Sequence, residues 1–252
     1  MFEWLQQSIN LAWLIIQSVC FFFLVMPWLW LAVRYLFGYR GPAPVNLPNE
    51  ADYAIIVTAY GHVAGVKEAV LSLLKLNYHQ YHIYVVLDNC GDGDIGIAHD
   101  QLTVLRPTEV LAGNTRSHFY AIQRFIRPHE RVTIVDNDNL VHRDYLNALN
   151  RYFDAGYRAV QGVRKPKNLN TTLACLDAAR DAYYHYYDGK LLFEIGSSAT
   201  LAGSGMAFEV SLYRECLEHL DVRGAGFDKV LQYEIVKRGH RIAFANEAWV
   251  YD

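Results

Sequence analysis

From Leu11 to Val33 the chain carries no Asp, Glu, Lys or Arg, and an uncharged stretch of that length has few ways to fold in water. Built as a helix at about 1.5 Å per residue it is about 34 Å long, slightly more than the roughly 30 Å of bilayer hydrocarbon. It is therefore expected to cross a membrane. Trp4, Trp13, Trp28, Trp30, Tyr35 and Tyr39 lie towards its two ends, where amphipathic rings favour the headgroup layer, and Pro27 is expected to kink it. Gln17 and Ser18 are polar but uncharged and could meet a partner helix, either in a second copy or in an assembly partner. The N-terminus carries Glu3 and no Lys or Arg, unlike a cleaved signal peptide, so residues 1–40 read as a retained single-pass anchor. Arg34 and Arg40 follow the span, which assigns its C-terminal side to the cytoplasm.

Gly41-Pro42-Ala43-Pro44-Val45-Asn46-Leu47-Pro48 then reads as a stiff linker over 41–50, because proline fixes φ and biases its predecessor away from helix. A separate domain is expected over 51–252. Its aromatic content and ordinary Gly and Pro usage exclude a disordered tail or a collagen-like repeat, and four scattered cysteines exclude a disulfide scaffold. A net charge of −3 argues against nucleic acid as a partner, since displacing phosphate counterions needs a basic face.

Within 51–252, apolar runs of strand length alternate with helical patterns. Strands are expected at Tyr53–Thr58, His82–Leu87, Leu102–Leu105, Arg131–Val135 and Arg158–Val163, and helices at Val63–Leu76, Ser117–Phe125 and Asp144–Phe153. The alternation predicts an α/β fold with a mainly parallel sheet and flanking helices. Ligands of such sheets lie beyond the carboxyl ends of the strands. There the second strand runs into Asp88-Asn89-Cys90-Gly91-Asp92-Gly93-Asp94 and the fourth into Asp136-Asn137-Asp138-Asn139. Two acidic clusters at one edge repel unless a cation lies between them, and hard carboxylate oxygens suit Mg²⁺ or Mn²⁺ with positions left for phosphates. The first cluster does not fit a calcium loop, because Cys90 stands at the third position and the closing Glu is missing. Asp88 instead reads as an acceptor for a base or ribose.

Gly203-Ser204-Gly205 lacks the glycine spacing of a nucleophile elbow; its small residues allow a sugar or acceptor to approach the backbone, or form a tight turn. Asp228 stands before the helix Lys229–Lys237, which Arg238-Gly239 closes, and so reads as an N-cap. The aromatic run Tyr183–Tyr187 reads as core packing, with a sugar channel or the membrane surface as the other two readings.

Taken in order, these segments resemble glycosyltransferase family 2, the inverting enzymes of GT-A (Rossmann-like) fold that move a sugar from a nucleotide-diphosphate donor. The resemblance runs from Asp52 to the C-terminus. It is carried by Thr58-Ala59-Tyr60 in the opening strand motif, by Val85-Val86-Leu87-Asp88, by Gly113-Asn114-Thr115-Arg116-Ser117, by the D-x-D at Asp136 and Asp138, and by the register Asp228, Leu231, Ile235, Gly239. It implies that Thr58, Ala59, Tyr60, Asp88, Arg116, Asp136 and Asp138 bind the donor, that Asp138 with Asp136 holds Mg²⁺ or Mn²⁺, and that Asp228 is the catalytic base. Gly203, Ser204 and Gly205 are the acceptor-side candidates. The implied function is transfer to a hydroxyl of a saccharide or lipid-linked acceptor at the cytoplasmic membrane face. A nucleotidyltransferase and a catalytically silent membrane scaffold are the competing readings, the first disfavoured because Thr58 to Gly65 holds no Lys or Arg.

Overall fold

A computed structural model describes residues 2–39, 43–45, 50–222, 224 and 226–252. Arg40 and most of the expected linker, 41–42 and 46–49, lie outside that set, as does the side chain of Trp4. Helix α1, Phe2–Phe37, is continuous through Pro27. It contains one stretch long and apolar enough to span a membrane, and most of its large side chains, Trp13, Trp28 and Tyr35 among them, face away from the protein. Its far end is not free. Arg34 Nε donates to Glu194 Oε2 at 2.8 Å, the Tyr39 ring meets Phe193 edge-on, and the Val45 N–H reaches the Arg151 carbonyl.

The rest folds around one eight-stranded sheet. In chain order the strands are β1 (Tyr53–Tyr60), β2 (Tyr81–Asp88), β3 (Leu102–Leu105), β4 (Arg131–Asp136), β5 (Leu140–Val141), β6 (Ala159–Lys165), β7 (Met206–Glu209) and β8 (Ile242–Tyr251). Their spatial order is β3-β2-β1-β4-β7-β6-β8-β5. β1, β2, β3 and β4 are mutually parallel, as are β6 and β8, while β7 lies antiparallel between β4 and β6. Every residue of β2 is buried, as is nearly all of β1, which is why both read in sequence as unbroken apolar runs. The flanking helices are α2 (Val66–Leu73), α3 (Asn114–Ile122), α4 (Tyr145–Phe153), α5 (Thr172–Tyr184), the short α6 (Leu192–Glu194), α7 (Val210–Leu217) and α8 (Phe227–Lys237). A π-helical segment, His185–Leu191, joins α5 to α6. It packs against α1, and Gly189 lets the Phe244 ring of β8 lie against its backbone.

Two expectations change in detail. Helix α3 begins at Asn114, earlier than the apolar spacing alone indicated, because Gly113 in extended conformation starts it. Asp228 is not the N-cap of the last helix. Gly226, with φ +90°, takes that position, which moves Asp228 into the first turn of α8. The other end follows the expected closure, with Gly239 at φ +80° and the His240 N–H returning to the Ile235 carbonyl.

Candidate active site

Strand order places the acidic residues. β1 is central, with β2 on one side and β4 on the other, and the registers pair Tyr60 with Asp88 and Thr58 with Asp136. Both aspartates therefore emerge at the carboxyl edge, separated by one strand. Thr58, Ala59, Tyr60, His62, Asp88, Asp136 and Asn137 line one cavity there, together with Ala112, Gly113, Asn114, Ser117 and Gly224. Its volume of ≈ 540 Å³ falls in the range of small-molecule sites.

Asp88 is only 2% exposed, and its carboxylate accepts the N–H groups of Leu111 and Ala112 at 3.0 and 2.8 Å. It thereby holds the turn, with Ala112 at φ +48°, that presents the start of α3 to the cavity. No side chain caps that start, so its first amides are available to an anion, and the helix dipole favours one. Among the described residues the cavity wall carries no Lys or Arg. Arg116 does not line it. The guanidinium pairs with Asp221 at 2.9 Å and donates to the Leu111 carbonyl, and Thr115 Oγ1 donates to the Val222 carbonyl. These bonds tie α3 to the segment that carries Gly224 over the cavity.

The D-x-D turn is braced from the interior. Asn139, fully buried, accepts a hydrogen bond from Ser204 Oγ at 2.6 Å and donates to the side chains of Asp138 and Asp252. Ser204 Oγ in turn accepts the Asp136 N–H. The structure thus places Ser204 in the interior as a strut for the acidic turn, and Gly205, at φ +68°, donates its N–H to the Ile134 carbonyl of β4. Gly203 faces open space. Gly65 permits the close approach of α2: at φ +82°, an added Cβ would lie 3.1 Å from the Asn137 carbonyl oxygen and from Asp138. Burial, reinforced by the Asp138 and Asp252 carboxylates, pushes the Asp136 carboxyl up to about 6. Lys167 donates to the Asp138 carbonyl, while the Asp138 carboxylate stays largely exposed.

Among the described residues no three His, Cys, Asp or Glu converge as a closed metal cage. Two carboxylates of one turn, with like charge accumulating around the buried one, fit a divalent ion that completes its shell with phosphate and water oxygens.

Asp228 borders a second, smaller cavity of ≈ 300 Å³ with Arg164, Arg180, Asp181, Tyr184, Ala202 and Lys229. Its side chain is 15% exposed, with Lys229 Nζ 3.5 Å from Oδ2. Asp88 and Asp136 therefore share one cavity, whereas Asp228 lines a different one. Arg164 bears on both, bordering the Asp228 cavity and opposing the upward shift of Asp136. Phe227, the residue beside the base candidate, packs its ring against His118 in the core. Arg164, Asn139 and Asp252 were missed by reading the sequence. Only the Asn of D-N-D-N hinted at Asn139, and the other two come together through β6 and β8.

With this geometry in place, the family description "Glycosyltransferase like family 2" matches residues 48–252. The chain belongs to that family. No curated protein matches it in sequence. Among solved structures, a mannosyltransferase of Pyrobaculum calidifontis bound to GDP-Man and Mn²⁺ superposes with a TM-score of 0.70 at 18% identity, over 90% of this chain and 64% of that one. TarS 1–349 of S. aureus gives 0.56 at 16% identity over 79% and 60%, and its complex with UDP-GlcNAc gives 0.57 at 17% over 80% and 58%. At such identities the likeness is one of fold: a GT-A-like α/β architecture with a mostly parallel sheet. This chain spans less than two thirds of the length of each of these structures.

Proposed function

We propose that this family member is an inverting, membrane-anchored glycosyltransferase. It moves a sugar from a nucleotide-diphosphate donor to a hydroxyl of a saccharide or lipid-linked acceptor at the cytoplasmic membrane face. The observation that carries the reading is the shared cavity: Asp88 and Asp136 flank β1 at the carboxyl edge of the parallel strands, in a volume suited to a nucleotide. The neighbours that bind GDP-Man and UDP-GlcNAc support the donor class.

In this reading the nucleoside lies between Tyr60 and the turn fixed by Asp88, and the diphosphate faces the first amides of α3. Those amides take over the role that Arg116 was expected to play, because Arg116 is engaged by Asp221. Mg²⁺ or Mn²⁺ on Asp138 and Asp136 would stabilise the charge that develops on the leaving diphosphate. Asp228 accepts the proton of the attacking hydroxyl, which is a poor nucleophile until it is deprotonated during attack. Arg164 borders the Asp228 cavity and also bears on Asp136, which supports placing Asp228 on the acceptor side; attack from the face away from the leaving group would then invert the anomeric centre. Ala202, which lines that second cavity, and Gly203 next to it in the chain are the acceptor-side contacts.

The test uses the full chain in lipid bilayers with a panel of UDP- and GDP-sugars, with and without Mn²⁺. The expected result is metal-stimulated release of nucleotide diphosphate and an inverted product anomer by NMR, both lost in Asp138→Ala and Asp228→Asn. Unchanged turnover in both variants would reject the assignment.

A further inference from the structure

Helix α5 is turned inside out. Among its thirteen residues none is buried, and the side facing the protein carries Ala174, Ala178 and Asp181. The opposite side holds Leu173, Leu176 and Tyr183, which are 75%, 61% and 54% exposed, and Leu169 extends the stripe before the helix begins. At 100° per residue these positions fall on one sector, so the apolar stripe of an amphipathic helix points outward. Arg180 starts from the same sector, but its guanidinium pairs with Asp177 and Asp181 at 3.2 and 3.1 Å and borders the Asp228 cavity. A contiguous exposed patch of large apolar side chains marks a docking surface.

The position of α1 identifies what covers it. α5 continues without a break through His185–Leu191 into α6, and this rod holds the foot of α1 through the π-helical contact, the Arg34–Glu194 pair and the Tyr39–Phe193 ring contact. Met26, Trp30, Val33 and Arg34, on one side of α1, are half-covered by the domain. The first three belong to the uncharged stretch itself, so the domain reaches the level where hydrocarbon ends. We infer that the outward face of α5, with Leu169, Leu173, Leu176 and Tyr183, lies in the lipid headgroup and acyl boundary as a second membrane contact beside the anchor. Leucine and an aromatic ring are side chains that such a boundary accepts. The inner side of the same helix borders the Asp228 cavity, which this contact would bring to the bilayer surface.

The inference rests on reading α1 as a span, and the experiment separates the two. Three chains are reconstituted in phospholipid bilayers containing anionic lipid. One keeps Cys20 on α1 as its only accessible cysteine; the others carry Leu173→Cys or Leu176→Cys with Cys20, Cys90 and Cys175 replaced by Ala. Each is spin-labelled, and collision with oxygen is compared with collision with a water-soluble nickel chelate. Oxygen should dominate at all three sites. If it dominates at 20 while nickel dominates at 173 and 176, the α5 contact is overturned and the anchor stands. Labels at 173 and 176 shielded from both reagents would place protein, such as a second copy of the chain, on this face and also overturn it. A label at 20 open to nickel would overturn the span and the inference together.

Discussion

Single residues divide into those that do chemistry and those that hold them. In Asp228→Asn the side chain keeps its shape but no longer takes a proton, so transfer should fall by about 10²–10⁴-fold, while the thermal shift produced by donor is retained. Initial rates and melting curves on one preparation check this, and loss of the donor shift would instead make Asp228 a donor ligand. Ser204→Ala leaves the Asn139 side-chain oxygen Oδ1 and the Asp136 backbone N–H without their partner in the interior. It should destabilise the protein by about 1–3 kcal/mol and loosen the D-x-D turn, measurable as a lower melting temperature together with weaker Mn²⁺ stabilisation. The carboxylates were legible from sequence because Asp at the end of an apolar run stands out. Their supports were not: Arg116 with Asp221 and Ser204 with Asn139 are pairs distant in sequence that only the folded sheet brings together.

Elements were readable in proportion to how completely they are buried. β1, β2 and β4 gave plain apolar runs, and β3 matched its expected span Leu102–Leu105. β7, at four residues, and β5, at two, are too short to show a period, and β8 interrupts its pattern with the exposed pair Asn246 and Glu247. The aromatic run Tyr183–Tyr187 divides between environments: the His185 ring is buried, whereas Tyr183 and Tyr186 are exposed, so core packing describes only part of it. In the π-helical segment, a Cβ on Gly189 would lie 2.6 Å from the Phe244 ring. Gly189→Ala should therefore cost about 1–3 kcal/mol by overpacking, read as a drop in melting temperature, and no drop would show that the segment shifts freely.

Across the molecule, four buried imidazoles dominate the response to acid, and the raised Asp136 carboxyl opposes them below about pH 6. Burial holds His82 and His185 down at about 4 and His118 at about 3, and it also lowers His129, where the Asp52 carboxylate partly opposes it. The unfolded chain takes up these protons near pH 6.5, whereas the folded one stays neutral until lower pH. Stability contributed by the neutral rings is thus complete above about pH 6.5 and declines as pH falls towards 4, by up to about 1.4 kcal/mol per pH unit for each histidine. Melting temperatures recorded from pH 7 to 4.5 should fall steadily, and a flat profile would contradict the burial of these rings.

The clamp between Glu194 and Arg34 leaves little slack between stalk and head. A head on a loose tether can search a hemisphere of solution for its partner; under the proposed anchoring this one would keep closer to a single height. Encounters with molecules confined to the same leaflet would then become a search in two dimensions, and the height of the mouth above the lipid would become a ruler. A carbohydrate rooted in that leaflet would be served while its tip lies level with the opening and passed over once it has grown beyond it.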